Sequence, residues 1–189
     1  MRHILAIAAL CLAALTARAQ TVEIVSGSTT RIFLEKTLAS DNATTFAYME
    51  ATFGGGVYGQ FFQEVKFWKA PVFLHGEYRT TFDGNHTAIV GPSLAIYSKH
   101  GLVTIAPFYR YDFGINKSAF QLGNSYFYEF GPVEFYGYND LWYNGDLNYF
   151  GEQRIHLRLT EHFKLGFILD LSYFGEFAAA PALGVRFDF

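Results

Sequence analysis

Four polar side chains alternate with apolar ones between residues 149 and 160, and their types suit recognition of a small polar solute. They are Glu152, Arg154, His156 and Arg158, and the residues between and after them are mainly Ile and Leu. A period of two is typical of a β-strand whose two faces have different surroundings. The carboxylate, guanidinium and imidazole groups of one face can hydrogen-bond a solute, or they can pair with one another.

The same alternation places further charged and aromatic side chains on the charged face of other segments. Because charge is costly in lipid, all of them are expected to face a lumen if these segments cross a membrane. The charged residues are Glu64, Lys66, His75, Glu77, Arg79, Arg110, Asp112, Glu134, Asp140, Lys164, Asp170, Arg186 and Asp188. The aromatic residues are Phe46, Tyr48, Phe73, Phe108, Phe127, Tyr136, Tyr138 and Trp142.

Nucleophilic and metal chemistry find little support in the sequence. His75, His156, Ser125 and Ser172 are residue types that an outer-membrane lipid hydrolase or acyltransferase would use, but none stands in a recognisable nucleophile pattern. The acidic turns lack the several oxygen ligands at set spacing that a calcium loop needs. We therefore expect no catalytic residue, metal site or cofactor, and an enzyme is the weaker alternative.

Turn-forming residues divide the chain into segments that are long enough to cross a bilayer as β-strands. A transmembrane β-strand needs about 9 to 11 residues, and Gly, Asn, Asp and Pro punctuate the chain at a compatible spacing. The twelve predicted strands are 21–27, 29–38, 43–53, 58–68, 71–81, 86–97, 102–112, 118–129, 132–143, 149–160, 163–173 and 178–189. The predicted fold is an all-β, up-and-down antiparallel transmembrane barrel. Both termini on one side require an even number of strands, and ten is the alternative to twelve.

Two prolines complicate this prediction. Pro92 and Pro107 fall inside predicted strands. A closed barrel has no free edge where a missing backbone donor is harmless, so each proline is expected at a β-bulge.

The last segment has the pattern of a strand that closes a barrel. Leu183, Val185 and Phe187 alternate with small or charged residues, and the chain ends on Phe189. A terminal aromatic residue on a strand resembles the signal that the outer-membrane barrel assembly machinery reads, so that machinery is an expected partner.

The composition agrees with a sheet in lipid. Phe, Trp and Tyr make up 19% of the residues, with 21 Phe and 13 Tyr. This is high for a soluble domain and is typical of lipid-facing strands flanked by aromatic girdles. A formal net charge of −3 gives no reason to expect a nucleic-acid partner.

The first 19 residues predict export from the cytoplasm. A short basic head, Met1 to His3, precedes an apolar run from Ile4 to Thr16, and Ala17-Arg18-Ala19 follows as a cleavage site of small residues. This arrangement predicts a signal peptide over residues 1–19 and a barrel over residues 20–189. Cys11, the one cysteine, lies in the predicted signal, so we expect neither a disulfide nor a thiolate site.

Several short segments resemble those of a known family. They are Glu64-Val65-Lys66-Phe67-Trp68-Lys69-Ala70-Pro71, Gly76-Glu77-Tyr78, Val90-Gly91-Pro92-Ser93, Ser118-Ala119-Phe120-Gln121-Leu122 and the final aromatic strand. With these segments the chain, from about Ile32 onward, resembles the short Tsx-like outer-membrane proteins, which are similar to the Tsx nucleoside channel. The resemblance implies a monomeric twelve-stranded barrel in the cell outer membrane with a narrow lumen that passes nucleosides. No substrate residue of that channel is carried over to a position here.

The expected function is a porin-like channel for small polar solutes, with nucleosides as the favoured class. Aromatic rings stack on a base, and Arg, Asp and Glu hydrogen-bond the sugar hydroxyls. The predicted lumen residues are Tyr136, Tyr138, Asp140, Arg154, His156, Arg158, Glu77, Arg79, Phe108, Arg110 and Asp112. The alternative is a structural barrel in which the lumen charges pair and close the pore.

A simple hairpin at residues 144–148 would bring some of these side chains together across two strands. It predicts Asp140 opposite Arg154, Tyr138 opposite His156 and Tyr136 opposite Arg158.

Overall fold

Strands with alternating polar and apolar residues, joined by tight turns, form a closed sheet. The computed structural model describes residues 20–40, 42–52, 56–66, 71–81 and 84–189, and the predicted signal peptide lies outside them. The strands are β1 (Thr21–Ser26), β2 (Thr30–Ala39), β3 (Ala43–Thr52), β4 (Val57–Lys66), β5 (Val72–Thr81), β6 (His86–Tyr97), β7 (Gly101–Asp112), β8 (Lys117–Phe130), β9 (Val133–Tyr143), β10 (Leu147–Arg158), β11 (Phe163–Tyr173) and β12 (Phe177–Asp188). Each pairs antiparallel with its neighbours in the chain, and β1 pairs with β12 to close the barrel.

The fold prediction is confirmed. All twelve predicted strands are present among the described residues, with bounds that differ by no more than two residues, and the ten-strand alternative is wrong. No described helix is long and apolar enough to cross a membrane.

The two ends of the barrel differ in whether they hold the chain termini. Thr21 lies opposite Asp188, so both termini lie at one end, which we call the terminal end. The β1–β2 turn and the β9–β10 turn lie at the other end, which we call the hairpin end. No connection within the described residues is long enough to fold back into the lumen. Among the described residues, the lumen is therefore shaped mainly by strand side chains.

The register of β9 against β10 corrects one prediction. Arg154 lies opposite Tyr136 and His156 opposite Glu134, rather than opposite Asp140 and Tyr138. The turn comprises only residues 144–146, and Gly145 has a φ of 117° that other residues rarely adopt. The shorter turn lets β10 begin at Leu147, opposite Tyr143. All three predicted pairs are therefore wrong, including Tyr136 with Arg158.

The two prolines are accommodated without a bulge. Val90 lies opposite Tyr109 and Leu94 opposite Ile105, and the same number of residues separates these pairs on each strand. This register places Pro92 opposite Pro107, where the β6–β7 ladder is interrupted. The two backbone N–H groups that the prolines lack thus fall in one gap of the ladder. The predicted bulges are wrong.

The alternation of faces predicted for β10 is confirmed. On β10, Glu152, Arg154 and His156 are buried, whereas the intervening Ile155 and Leu157 are 42% and 43% exposed on the outer wall. The same period of two runs along the other strands, so that charged residues line the inside and Leu, Ile, Val and Phe cover most of the outside.

Single cysteines on β10 test these faces. Ile155→Cys and Leu157→Cys should react with a lipid-soluble maleimide and not with a water-soluble one. Arg158→Cys, at the terminal end, should react with the water-soluble reagent, and His156→Cys should react with neither because position 156 is fully buried. Labelling is measured by gel shift in intact membranes. Equal labelling of all four variants by both reagents would show that β10 is not a wall strand.

Candidate solute-binding lumen

Arg154 is the centre of a layer of ion pairs at mid-barrel. Its guanidinium donates to Glu23 Oε2 at 2.5 Å and to Glu152 Oε1 at 2.6 Å. It also lies 3.4 Å from Glu35 Oε1 and stacks over the Phe33 ring, 4.7 Å from the centroid. Only 3% of Arg154 is exposed. A long cation thus links β10 to β1 and β2 across the lumen.

His156 extends this layer. Its Nε2 lies 2.7 Å from Glu23 Oε1, and both side chains are fully buried. The imidazole stacks on the Tyr136 ring with 5.1 Å between centroids. Tyr136 in turn accepts a hydrogen bond from Arg186 Nη1 at 2.8 Å. We call Glu23, Glu35, Glu152, Arg154 and His156, with Tyr136 against them, the central ion-pair layer.

A second bridge crosses the other side of the lumen. Arg79 on β5 pairs with Asp140 on β9 at 2.7 Å and also with Glu77. Gln121 Nε2 donates to the other oxygen of Asp140 at 2.8 Å. Because β5 and β9 are four strands apart in the barrel, this bridge spans the lumen rather than joining neighbours.

His75 fills the space beside that bridge. Its two ring nitrogens lie 3.1 Å from Glu64 Oε1 and 3.1 Å from Glu77 Oε2. The ring packs against Phe108 at 4.7 Å and Phe62 at 5.2 Å between centroids. Together with the central ion-pair layer, these contacts leave the middle of the lumen densely packed. The ionised groups there are compensated by one another, as buried charges must be.

The hairpin end of the lumen is open. A cavity of about 350 Å³ lies there, and we call it the vestibule. Its main polar and aromatic lining residues are Arg31, Tyr48, Glu50, Tyr58, Arg79, Arg110, Tyr138, Trp142, Phe150 and Glu152. The Arg110 guanidinium lies 4.3 Å from the Trp142 ring centroid, and the Tyr138 and Phe150 rings are 5.9 Å apart. Rings and guanidinium groups therefore share one open cavity.

The terminal end holds further ion pairs, which Arg186 connects to Glu35 of the central ion-pair layer. Arg158 Nη2 donates to Glu134 Oε1 at 2.5 Å and to Glu129 Oε1 at 2.9 Å. Lys164 Nζ lies 2.8 Å from both Glu134 Oε2 and Asp188 Oδ2. This end is therefore lined by paired charges.

The structure separates the side chains that the sequence grouped as one site. Tyr138 lines the vestibule, Tyr136, Arg154 and His156 belong to the central ion-pair layer, and Arg158 lies at the terminal end. A direct partnership of Arg154 with Asp140 is wrong, since Asp140 binds Arg79.

The remaining predicted lumen residues lie in or next to the vestibule. Arg79 and Arg110 line it. Glu77 and Asp112 are buried and pair with these two arginines, and Phe108 is buried against His75. That these residues contact a solute stays a prediction.

Sequence reasoning missed Glu23, Arg31 and Glu35, which face the lumen and join its ion pairs. The first two strands are short or irregular in pattern, so the alternation of their faces is less clear than that of β10. Glu23 between Val22 and Ile24 carried the signal, because a lone carboxylate between apolar neighbours on a strand indicates an inward face.

Carboxylates outnumber basic side chains on the inward alternation of the described strands. The acidic residues are Glu23, Glu35, Glu50, Glu64, Glu77, Asp112, Glu129, Glu134, Asp140, Glu152, Asp170 and Asp188. The basic residues are Arg31, Lys66, Arg79, Arg110, Lys117, Arg154, Arg158, Lys164 and Arg186. The described residues contain no group of three or more His, Cys, Asp or Glu arranged to hold a metal ion.

Comparison with known proteins places the fold. No protein-family model matches the chain, and no curated protein matches its sequence. Among solved structures, the KdgM porin in complex with disordered oligogalacturonate has a TM-score of 0.61 and 7% sequence identity, covering 89% of this chain and 98% of that one. The NanC porin in a rhombohedral crystal form has a TM-score of 0.61 and 12% identity, with the same coverage. The chain thus shares the barrel fold of these porins.

Removal of Glu23 tests the central ion-pair layer. Glu23→Ala removes the carboxylate partner of His156 and leaves Arg154 with Glu152 and the more distant Glu35, and breaking such a buried pair typically costs about 3–5 kcal/mol. The free energy of unfolding in urea, measured in lipid vesicles, should fall by that order. Glu161→Ala, at an exposed turn position, is the control and should change the stability little. Equal stability of the two variants would contradict the burial of this network.

Proposed function

We propose that the protein is an outer-membrane channel that admits small polar solutes through the vestibule. The observation that carries this proposal is the vestibule itself, an open cavity of about 350 Å³ in which three arginines meet a cluster of aromatic rings. The porin fold, the apolar outer wall and the predicted signal peptide support the location in the membrane.

Nucleosides are the solute class that we propose for the vestibule. A nucleoside presents a flat base and a sugar with hydroxyl groups. Tyr138, Trp142 and Phe150 offer stacking surfaces, while Arg31 and Glu50 offer hydrogen-bond donors and acceptors for hydroxyls. The resemblance to Tsx-like proteins supports the same class. Binding should be weak, because a channel must release what it binds.

The charge balance argues against an acidic oligosaccharide. The KdgM porin was solved with oligogalacturonate, a polymer that carries a carboxylate on each sugar. In this chain, carboxylates outnumber basic residues on the inward face. Over the whole lumen this excess gives a polyanion no net attraction, while in the vestibule three arginines face two glutamates. The aromatic rings of the vestibule are what favour a flat, uncharged solute.

The central ion-pair layer is the constriction that a solute must pass. Glu23 and His156 are fully buried and Arg154 nearly so, so passage requires side chains of this layer to move apart. The same packing favours the second candidate, a structural barrel whose lumen does not conduct.

An enzyme fits the site less well. His75 and His156, the two lumen histidines considered for catalysis, have carboxylates as their hydrogen-bond partners. Ser125 bonds to Thr104 instead. Within the described residues, this arrangement offers no activated serine.

Single-channel recording in planar bilayers tests conduction. The purified protein should give small, discrete conductance steps, and Arg154→Ala should enlarge them because the side chain that spans the lumen is gone. The three carboxylates left behind should also shift ion preference toward cations. Arg158→Ala, at the open terminal end, is the control and should change the step size less. Heat-sensitive migration in SDS verifies that each variant is a folded barrel, and silence of both wild type and Arg154→Ala would favour the structural barrel.

Nucleoside block of the ion current tests the solute class. Adenosine or thymidine should reduce the wild-type current in a saturable manner. Tyr138→Ala should weaken that block by about 1–3 kcal/mol, the usual contribution of base stacking on an aromatic ring, with conductance similar or larger. Tyr143→Ala is the matched control, since Tyr143 lies on the same strand and faces outward, 61% exposed. If other solutes block the current and nucleosides do not, the channel proposal stands and the nucleoside assignment is wrong.

A further inference from the structure

A cluster of uncharged polar side chains interrupts the apolar outer wall. It consists of Asn124 on β8, Asn139 on β9 and Gln153 on β10, with Tyr126 and Tyr149 beside them; we call these five residues the outward amide patch. All three amides lie on the outward alternation, well inside their strands, and Asn124 lies directly opposite Asn139.

The surroundings of the patch are apolar. Outward side chains that flank it are Ile105, Leu122, Phe135, Leu141 and Ile155, each between 37% and 44% exposed. The only other outward amide on the described strands is Gln63, close to the terminal end of β4. Outward amides of the described wall therefore concentrate on one face, at mid-barrel.

Hydrogen bonds join the five side chains to one another. Tyr149 Oη and Gln153 Nε2 both donate to Asn139 Oδ1, at 2.6 and 2.9 Å. Asn139 Nδ2 donates to Asn124 Oδ1 at 2.8 Å, and Tyr126 Oη donates to Gln153 Oε1. The network ends at Asn124, an exposed residue whose amide nitrogen donates no hydrogen bond to the described residues.

The patch is also flat. A Cβ atom at Gly137 would lie 3.0 Å from both Tyr126 Oη and Gln153 Oε1, and one at Gly151 would lie 3.0 Å from Tyr149 Cζ. The polar side chains thus lie over two glycines, along the wall instead of projecting from it. A second flat surface could approach closely here, as small residues allow between membrane segments.

We propose that a second copy of this chain docks on the outward amide patch. The inference rests on the proposed membrane location, because only hydrocarbon leaves the Asn124 amide nitrogen without an alternative partner. Two copies inserted in the same direction can be related by a two-fold axis along the membrane normal. Such an axis next to Asn124 lets its amide pair reciprocally with the same amide of the other copy, each donating Nδ2–H to the other Oδ1.

A second copy fits better than a charged partner. An amide is both donor and acceptor and is therefore complementary to itself. The patch contains no ionised group, so it offers no attraction to a charged surface. The resemblance to Tsx-like proteins implies a monomer, and this inference departs from that expectation.

Disulfide cross-linking in the membrane tests the proposal. Asn124→Cys, made in a Cys11→Ser background, should form a dimer of twice the chain mass under mild oxidation of intact outer membranes. Leu183→Cys is the control, since Leu183 faces outward on β12 on a different side of the barrel and is 68% exposed. Cross-linking of Asn124→Cys no stronger than that of Leu183→Cys, or only to a different protein, overturns the proposal.

A second variant separates loss of docking from loss of folding. The triple change Asn124→Leu, Asn139→Leu and Gln153→Leu makes the patch as apolar as its surroundings. In detergent, light scattering should give the mass of a dimer for the wild type and of a monomer for this variant, with heat-sensitive migration in SDS retained by both. Equal masses would overturn the proposal. Failure of the wild type to fractionate with membranes would instead refute the membrane location itself.

Discussion

The pairing of β1 with β12 is the contact on which the rest of this structure depends. Six residue pairs, from Thr21 and Asp188 to Ser26 and Leu183, close the sheet. In hydrocarbon an open sheet edge leaves backbone donors and acceptors without partners, so a spanning sheet must close. The same strand carries Glu23 into the lumen, where it binds Arg154 and His156. Closure of the wall and filling of the lumen thus depend on one short strand.

The lumen divides into parts with different physical character. In the middle, charges from distant strands satisfy one another and exclude open space. At the hairpin end, Arg110 and Trp142 lie side by side in a cavity that remains open. In the channel that we propose, the vestibule would recognise the solute and the packed layer below it would control passage.

The outer wall is mainly apolar, and its amides gather at mid-barrel on β8 to β10. Apolar residues such as Ile155 and Leu157 meet the surroundings directly, as lipid requires. On β8 to β10, amides take positions where the rest of the wall carries Leu, Ile or Phe. A mid-barrel site where amides form a hydrogen-bond network of their own is better suited to contact protein than acyl chains.

The sequence by itself determined the strands and their faces, because a period of two is local and each charged residue reports the side on which it lies. Arg154 and Ile155 were assigned to opposite faces without any knowledge of their partners. The partners were decided by tertiary structure. Glu23 lies 131 residues from Arg154 in the chain, and its arrival depends on barrel closure, while the register of β9 against β10 depends on a three-residue turn around Gly145. Alternation specifies neither the closure nor the register, since it fixes the direction of a side chain and not its height along the barrel.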